Sequence, residues 1–179
     1  SVSDIGDMRY YTTSAAGRGS FYRVYGTDDF ATLFAARNGE ITGVDKDVLG
    51  ISAGRVTVPA EVNGEKATAI GGRAFEGLSG LREVVVASGI AAIGEGAFER
   101  CGDLKAAALP EGLATIGDLA FDNTAIEELT VPSTVTRVGR LGNVPHLRRV
   151  VFLGAPPSDV SRLDLPAGCR VVVPPNRGW

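Results

Sequence analysis

Four arginines in the C-terminal part of the sequence are the side chains best suited to bind a charged partner. They are Arg137, Arg140, Arg148 and Arg149. No acidic residue lies between the first and the last of them. Guanidinium groups match oxyanion geometry, so such a cluster could hold an anionic glycan or an acidic protein. The alternative is a solvated surface balanced by Glu127 and Glu128, and we favour that interpretation.

Residues suited to catalysis or metal binding are scarce. His146 is the one histidine of the sequence, and its neighbours Pro145 and Leu147 indicate a surface turn. No Cys-x-x-Cys pair suggests a zinc site. No Gly-x-Ser-x-Gly nucleophile motif and no phosphate-binding glycine loop occurs either. We therefore expect no enzymatic activity, no metal site and no cofactor.

The two cysteines, Cys101 and Cys169, are expected to be free thiols. Cys101 falls on an inward position of a repeat described below, and Cys169 lies roughly three coils later. Coils stack at about 4.8 Å, so the two would be about 10–15 Å apart, whereas a disulfide needs Cα atoms within about 7 Å. Free cysteine packs as a small apolar residue.

The composition indicates an acidic protein with an excess of turns. The chain has 179 residues, a net charge of −3 and 24 glycines. An acidic balance argues against nucleic-acid binding. No apolar run approaches the roughly 20 residues of a membrane span, so no membrane insertion is expected. Glycine supplies positive-φ turns, which a chain that turns several times per coil requires.

The sequence contains a repeat, and a repeated coil explains why so many turns are needed. The block Leu81-Arg82-Glu83-Val84-Val85-Val86 returns from Leu104, from Ile126 and from Leu147, at intervals of 23, 22 and 21 residues. A period in this range is typical of a leucine-rich-repeat solenoid. The sequence therefore predicts an α/β solenoid: a short leucine-rich-repeat right-handed superhelix of strand-rich coils, capped by N-terminal β-hairpins and a C-terminal strand.

Each coil is predicted to have three sides. On the first, residues spaced as L-x-x-L-x-L, such as Leu81, Val84 and Val86, point inward and stack into one continuous ladder. On the second, an Ile-Gly phrase makes a strand and a turn. On the third, Ala97-Phe98 and its equivalents start a short helical turn whose ring fills the core. In the Ile126 repeat, Leu141 or Val144 is expected to replace the phenylalanine.

The outward positions of the first side form the candidate binding face. Strand residues alternate between the two faces, and solenoids bind through extended sheet surfaces. The candidate residues are Arg55, Thr57, Glu83, Val85, Glu128, Thr130, Arg149 and Val151. Small residues, Ala106 and Ala108, lie between them in the sequence.

Three segments are predicted. Residues 1–52 form a β-rich cap, residues 53–155 form the solenoid with repeats starting near 53, 81, 104, 126 and 147, and residues 156–179 form a C-terminal cap. Strand formers at 9–13 and 21–25 predict a β-hairpin that covers the first coil. Residues 27–44 could be a capped helix or a hairpin around Asn38-Gly39, and the hairpin is favoured. Asn63-Gly64 indicates a further hairpin within the first repeat.

The repeat resembles the BspA-like leucine-rich-repeat family. The similar phrases are Ala69-Ile70-Gly71-Gly72-Arg73-Ala74-Phe75, Ile93-Gly94-Glu95-Gly96-Ala97-Phe98 and Ile116-Gly117-Asp118-Leu119-Ala120-Phe121. The ending Val151-Phe152-Leu153-Gly154-Ala155-Pro156 is also similar to how such arrays finish. The resemblance spans roughly residues 36–175 and carries no fixed binding residues.

This resemblance implies a secreted or cell-surface bacterial protein that adheres to or binds a protein or glycan macromolecule and has no enzymatic activity. A signal peptide removed before residue 1 would fit that location. The chain is expected to be a monomer. Two alternatives stay open: a structural spacer within a larger surface protein, and a carbohydrate-binding accessory domain.

Overall fold

The structure, a computed structural model, describes residues 2–5, 8–13, 20–25, 34–44, 54–62, 64–173 and 175. At the N-terminus, β1 (Val2–Ile5), β2 (Met8–Thr13) and β3 (Ser20–Tyr25) form an antiparallel sheet in that order. The pairing of β2 with β3 confirms the predicted hairpin. Its covering of the first coil stays a prediction.

The second side of the coil is a continuous six-stranded sheet. It begins with the hairpin of β4 (Phe34–Arg37) and β5 (Glu40–Val44), which confirms the favoured interpretation of that segment. Asn38 and Gly39 connect the strands with φ of 54° and 78°, as a two-residue hairpin turn requires. The other strands are β9 (Ala69–Ile70), β11 (Ala92–Ile93), β13 (Thr115–Ile116) and β15 (Arg137–Val138), in the order β15-β13-β11-β9-β5-β4.

The first side of the coil is divided into two parallel sheets, which together we call the main face. The N-terminal main sheet has the order β12-β10-β6 and consists of β6 (Gly54–Val58), β10 (Leu81–Val86) and β12 (Ala106–Ala108). The C-terminal main sheet has the order β14-β16-β17 and consists of β14 (Glu128–Val131), β16 (Arg149–Phe152) and β17 (Arg170–Val172). The last strand, β17, confirms the predicted C-terminal strand.

The inward side chains of this side belong to one buried cluster, but the strands that carry them do not form one continuous sheet. In the described residues no strand pairing joins β12 to β14. The turn into β12 has two residues between Cys101 and Leu104, whereas the equivalent turn into β14 has one residue between Thr124 and Ile126. The strand pairing is interrupted at this difference in turn length, and the inward Ala107 is only partly buried there.

Side-chain hydrogen bonds connect the two coils just beyond this gap. The Ser133 amide and hydroxyl donate to the Glu111 carboxylate at 3.1 and 2.9 Å. The Gly112 amide donates to the hydroxyl of Thr134 at 2.9 Å. The coils therefore remain attached to each other where their strands no longer pair.

The third side contains tight turns, and the short helical turns predicted at Ala97-Phe98 and its equivalents are not confirmed. Amides here donate to the next coil: Phe75 to the Ala97 carbonyl at 2.8 Å, and Phe98 to the Ala120 carbonyl at 2.8 Å. Gly96 and Arg100 have φ of 61° and 60°, and a right-handed helix has negative φ throughout. In the described residues the one helix is a 3-10 helix, Val160–Leu163.

Phenylalanine rings form the centre of the core. Phe75 and Phe98 stack with centroids 5.0 Å apart, and Phe34 from the β4–β5 hairpin packs on Phe75 at 6.0 Å. The column ends after Phe121, and both Leu141 and Val144 are buried in the following coil. This fits the replacement predicted for the missing phenylalanine.

The glycine after each second-side isoleucine allows neighbouring coils to approach closely. A Cβ on Gly94 would lie 2.6 Å from the Gly72 nitrogen, and one on Gly117 would lie 2.7 Å from the Glu95 nitrogen. Real Cβ atoms essentially never come this close to backbone. The Ile-Gly phrase is therefore a packing requirement of the coil.

Two shorter elements complete the described part. Within the first repeat, β7 (Glu61–Val62) and β8 (Glu65–Lys66) pair as the hairpin predicted at Asn63-Gly64. Near the C-terminus, the carbonyl of Leu163 in the 3-10 helix accepts a hydrogen bond from the Leu141 amide at 2.9 Å.

Candidate functional site

Within each of the two main sheets, strand register aligns the outward residues into two columns. We call the first the charged column and the second the uncharged column. The charged column consists of Arg55, Glu83 and Ala106 on the N-terminal main sheet and of Glu128, Arg149 and Arg170 on the C-terminal one. The uncharged column consists of Thr57, Val85 and Ala108 on the first sheet and of Thr130, Val151 and Val172 on the second.

The charged column contains two ion pairs, one on each sheet. Nε of Arg55 lies 3.6 Å from Oε1 of Glu83. On the other sheet, Nε of Arg149 donates to Oε2 of Glu128 at 2.8 Å, and Nη2 of the same arginine also contacts that oxygen. All four side chains are well exposed, so each pair stabilises the fold by about 0–1 kcal/mol at most.

The uncharged column lies two residues further along the strands. Its side chains Thr57, Val85, Thr130 and Val151 are partly buried, and together they form an uncharged surface. At its C-terminal end this surface becomes more apolar, because Val172 is 39% exposed and the neighbouring Leu153 is 42% exposed. One side of the main face is therefore charged, and the other is uncharged and becomes aliphatic at its C-terminal end.

The four arginines predicted as an anion-binding patch do not form one surface. Arg148 and Arg149 lie at the start of β16 on the main face. Arg137 lies in β15 of the six-stranded sheet, on another side of the coil. The amide of Arg140 donates to Oδ1 of Asp118 at 2.8 Å in the turn that follows β15. Only the last two of the four belong to the main face.

A surface hollow of about 600 Å³ lies at those two arginines. It is lined by Glu127, Glu128, Arg148, Arg149, Gly168 and Arg170. Arg170 was not among the predicted site residues, although its strand was identified. Aligning the phrase Cys169-Arg170-Val171-Val172 with the earlier repeats would have placed it beside Arg149, as the observed register does.

The remaining reactive groups are separate from this hollow's charged side chains. His146 is exposed in a turn, as expected. Cys101 is buried and its Sγ donates to the carbonyl of Phe75 at 3.1 Å, while partial burial raises the pKa of the Cys169 thiol. In the part of the chain that the structure describes, no three histidine, cysteine or acidic side chains are grouped to hold a metal ion. Within the same part, no helix has the length and apolarity to cross a membrane.

Comparison with known proteins gives the same repeat. The sequence profile of the BspA type leucine rich repeat region matches residues 60–141, in six copies. No curated protein sequence matches the chain. At the identities found, similarity to solved structures shows the fold alone.

Three crystal structures illustrate this similarity. A leucine-rich-repeat protein of Bacteroides capillosus is 24% identical with a TM-score of 0.55, over 86% of this chain and 99% of that one. The leucine-rich-repeat protein of T. pallidum is 21% identical with a TM-score of 0.51, over 66% and 67%. The pneumococcal vaccine antigen PcpA is 24% identical with a TM-score of 0.56, over 66% of this chain but only 28% of the antigen.

Proposed function

Because residues 60–141 are an array of BspA-type leucine-rich repeats, we propose that the chain is a non-catalytic interaction module that binds a macromolecule through its main face. The observation that carries this proposal is the in-register alignment of outward residues into a charged and an uncharged column on each of the two three-stranded main sheets. Extended sheet surfaces of this kind are how solenoid proteins bind partners.

The proposed location is the cell surface or the extracellular medium, and the proposed role is adhesion to a host or bacterial macromolecule. Similarity in fold to a pneumococcal vaccine antigen supports this location. The proposed partner is a protein, and the chain acts as a monomer.

The experiment that tests the proposal places a bulky charge on the uncharged column. A Val85→Arg/Val151→Arg variant is immobilised beside the unmodified chain, and both are exposed to solubilised extracellular-matrix proteins, with retained proteins identified by mass spectrometry. We expect the unmodified chain to retain a defined set of proteins and the variant to lose it, because both valines are partly buried on the main face.

The matched control is Ala92→Arg/Thr115→Arg, which places the same charges on outward, partly buried positions of the six-stranded sheet. Retention by this control should equal that of the unmodified chain. Equal loss of protein retention in both variants would indicate that the binding site is not on the main face. Retention of nothing by the unmodified chain would favour the spacer, and a signal on a glycan array alone would favour the carbohydrate-binding accessory.

A further inference from the structure

The C-terminal main sheet carries positive charge that its own acidic residues do not balance. Along the charged column, Glu128 lies beside Arg149, and Arg149 lies beside Arg170. The Glu128 carboxylate is occupied by the guanidinium of Arg149. Arg170 therefore faces a like charge on one side, an arrangement that is unfavourable across paired strands. Among the described residues neither Arg170 nor the exposed Arg148 has a salt-bridge partner.

Exposed aliphatic side chains lie next to these arginines on the same strands. In the described part of the chain, the large hydrophobic residues with high exposure are Leu153, Val160, Val172 and Val173, and all lie in the C-terminal region. Val172 follows Arg170 by two residues on β17, and Val151 follows Arg149 by two on β16. Cations and aliphatic groups therefore share one outward surface.

The distances on this surface match an extended peptide. Residues two apart on a strand are separated by about 6.6–7 Å, and neighbouring strands by about 4.8 Å. A peptide in extended conformation presents its own side chains i and i+2 on one face at the same spacing. The hollow of about 600 Å³ beside Arg148 and Arg170 gives room for an acidic side chain.

We propose, as an extension of the proposed function, that the C-terminal main sheet binds an extended protein segment with an acidic side chain followed two residues later by an aliphatic one. The acidic carboxylate accepts hydrogen bonds from the guanidinium groups of Arg148 and Arg170. The aliphatic side chain covers Val172 and Leu153. Glu127, which also lines the hollow, accepts a hydrogen bond from a donor on the partner.

Charge and hydrophobicity together favour a protein over an anionic glycan. A densely sulfated or carboxylated glycan would meet the Glu127 carboxylate and leave Val151, Leu153 and Val172 uncovered. The N-terminal main sheet lacks this combination of unpaired cations and exposed aliphatic groups, because the charges of Arg55 and Glu83 neutralise each other. Exposed Arg82 and Lys105 on that part of the face provide matched cations for a control.

The test uses the intact chain and fluorescein-labelled, end-blocked seven-residue peptides, with binding measured by fluorescence anisotropy. The first peptide is Ser-Glu-Ser-Leu-Ser-Leu-Ser, which puts glutamate and both leucines on one face. A second peptide replaces the glutamate by lysine, and a third replaces both leucines by serine. A labelled heparin hexasaccharide represents the anionic glycan.

We expect the first peptide to bind and the other probes to bind at least tenfold more weakly. Arg148→Ala/Arg170→Ala should lower affinity for the first peptide at least tenfold, because hydrogen bonds to charged groups are strong. Leu153→Ser/Val172→Ser should also weaken it, whereas Arg82→Ala/Lys105→Ala should leave it unchanged. These positions are exposed, so circular dichroism of each variant should match that of the unmodified chain.

Equal binding of the lysine peptide, equal loss in the Arg82→Ala/Lys105→Ala control, or binding of the hexasaccharide alone would overturn the inference. The broader proposal has a separate readout. If Arg148→Ala/Arg170→Ala still retains matrix proteins that Val85→Arg/Val151→Arg loses, the main face binds a partner and the acidic–aliphatic segment is the wrong one.

Discussion

The rings of Phe98 and Phe121 lie within 4° of parallel, with their centroids 5.5 Å apart. These residues come from successive coils, and both are buried. The separation is close to the strand spacing of about 4.8 Å, so the aromatic column rises with the same step as the sheets. Each ring therefore packs mainly on the equivalent ring of its neighbours.

Truncating the middle of this column should destabilise the whole array. Phe98→Ala leaves a cavity between Phe75 and Phe121, and we expect the free energy of unfolding to fall by about 3–5 kcal/mol. Urea titration followed by circular dichroism measures the change. Phe98→Leu is the matched variant and should lose less than half as much, since it fills part of the space. A loss below about 1 kcal/mol for Phe98→Ala would contradict the packing described here.

Adding a methyl group to a glycine where coils touch should also be costly. A Cβ on Gly117 would meet the Glu95 nitrogen and Gly94 backbone at 2.7 Å, so Gly117→Ala should lower the free energy of unfolding by about 1–3 kcal/mol. Gly102→Ala is the control, because nothing lies within 4 Å of a Cβ there. That variant should stay within about 0.5 kcal/mol of the unmodified chain. Equal midpoints of thermal unfolding for both variants would exclude close approach as the reason for Gly117.

The hydrogen bonds between Glu111 and Ser133 should make the free energy of unfolding depend on pH. The hydrogen bonds from Ser133 hold the pKa of the Glu111 carboxyl below its ordinary value of 4.5. A carboxyl with a lowered folded-state pKa contributes stability above its unfolded pKa and loses it as the pH falls through the folded pKa. Stability relative to Glu111→Gln should therefore be greater at pH 7 and shrink as the pH falls below about 4.5.

Urea unfolding of both chains between pH 3 and pH 7 measures this difference. Ser133→Ala removes the hydroxyl donor while the amide remains, so its pH dependence should lie between those of the other two. A constant difference between the unmodified chain and Glu111→Gln over the whole range would argue that the carboxyl is not held by Ser133.

The two thiols should differ in reactivity. Cys101 is fully buried, whereas Cys169 is partly exposed with a pKa raised by burial. Because the thiolate is the reactive form, we expect dithionitrobenzoate to label one thiol in the native chain, more slowly at pH 8 than a free thiol, and both in urea. Cys169→Ser should abolish the native labelling. Two rapidly labelled thiols without denaturant would contradict the burial of Cys101.

The period of the sequence predicted much of this fold, because each coil repeats the same inward positions. Val84, Ile93 and Phe98 are buried as their places in the repeat indicate. The repeated Ala97-Phe98 phrase predicted a short helical turn on the third side of the coil. The observed segment is a series of tight turns in which alternate amides, such as that of Phe98, bond to the next coil. These long-range partners leave no signal in a local window.

The candidate site was only partly predictable, for a geometric reason. Arg137 and Arg148 are eleven residues apart, which is half of a coil, so proximity in sequence puts them on different sides. The neighbour that matters to Arg149 is Arg170, one full coil away. The gap in the main sheet coincides with a turn before Ile126 that is one residue shorter than its equivalent. The repeats already differ in length by one or two residues, so this difference did not stand out in the sequence.

Among the described residues, that gap leaves the backbone hydrogen bonds between these two coils on the sides of the array away from the main face. At the junction between the coils of β12 and β14, the six-stranded sheet continues through β13 and β15, while the main face has no strand pair to break. Bending at this junction would widen the main face, while the strands of the six-stranded sheet stay paired. A partner that lies across both main sheets would fix the opening angle, so the curvature of the array would report its binding.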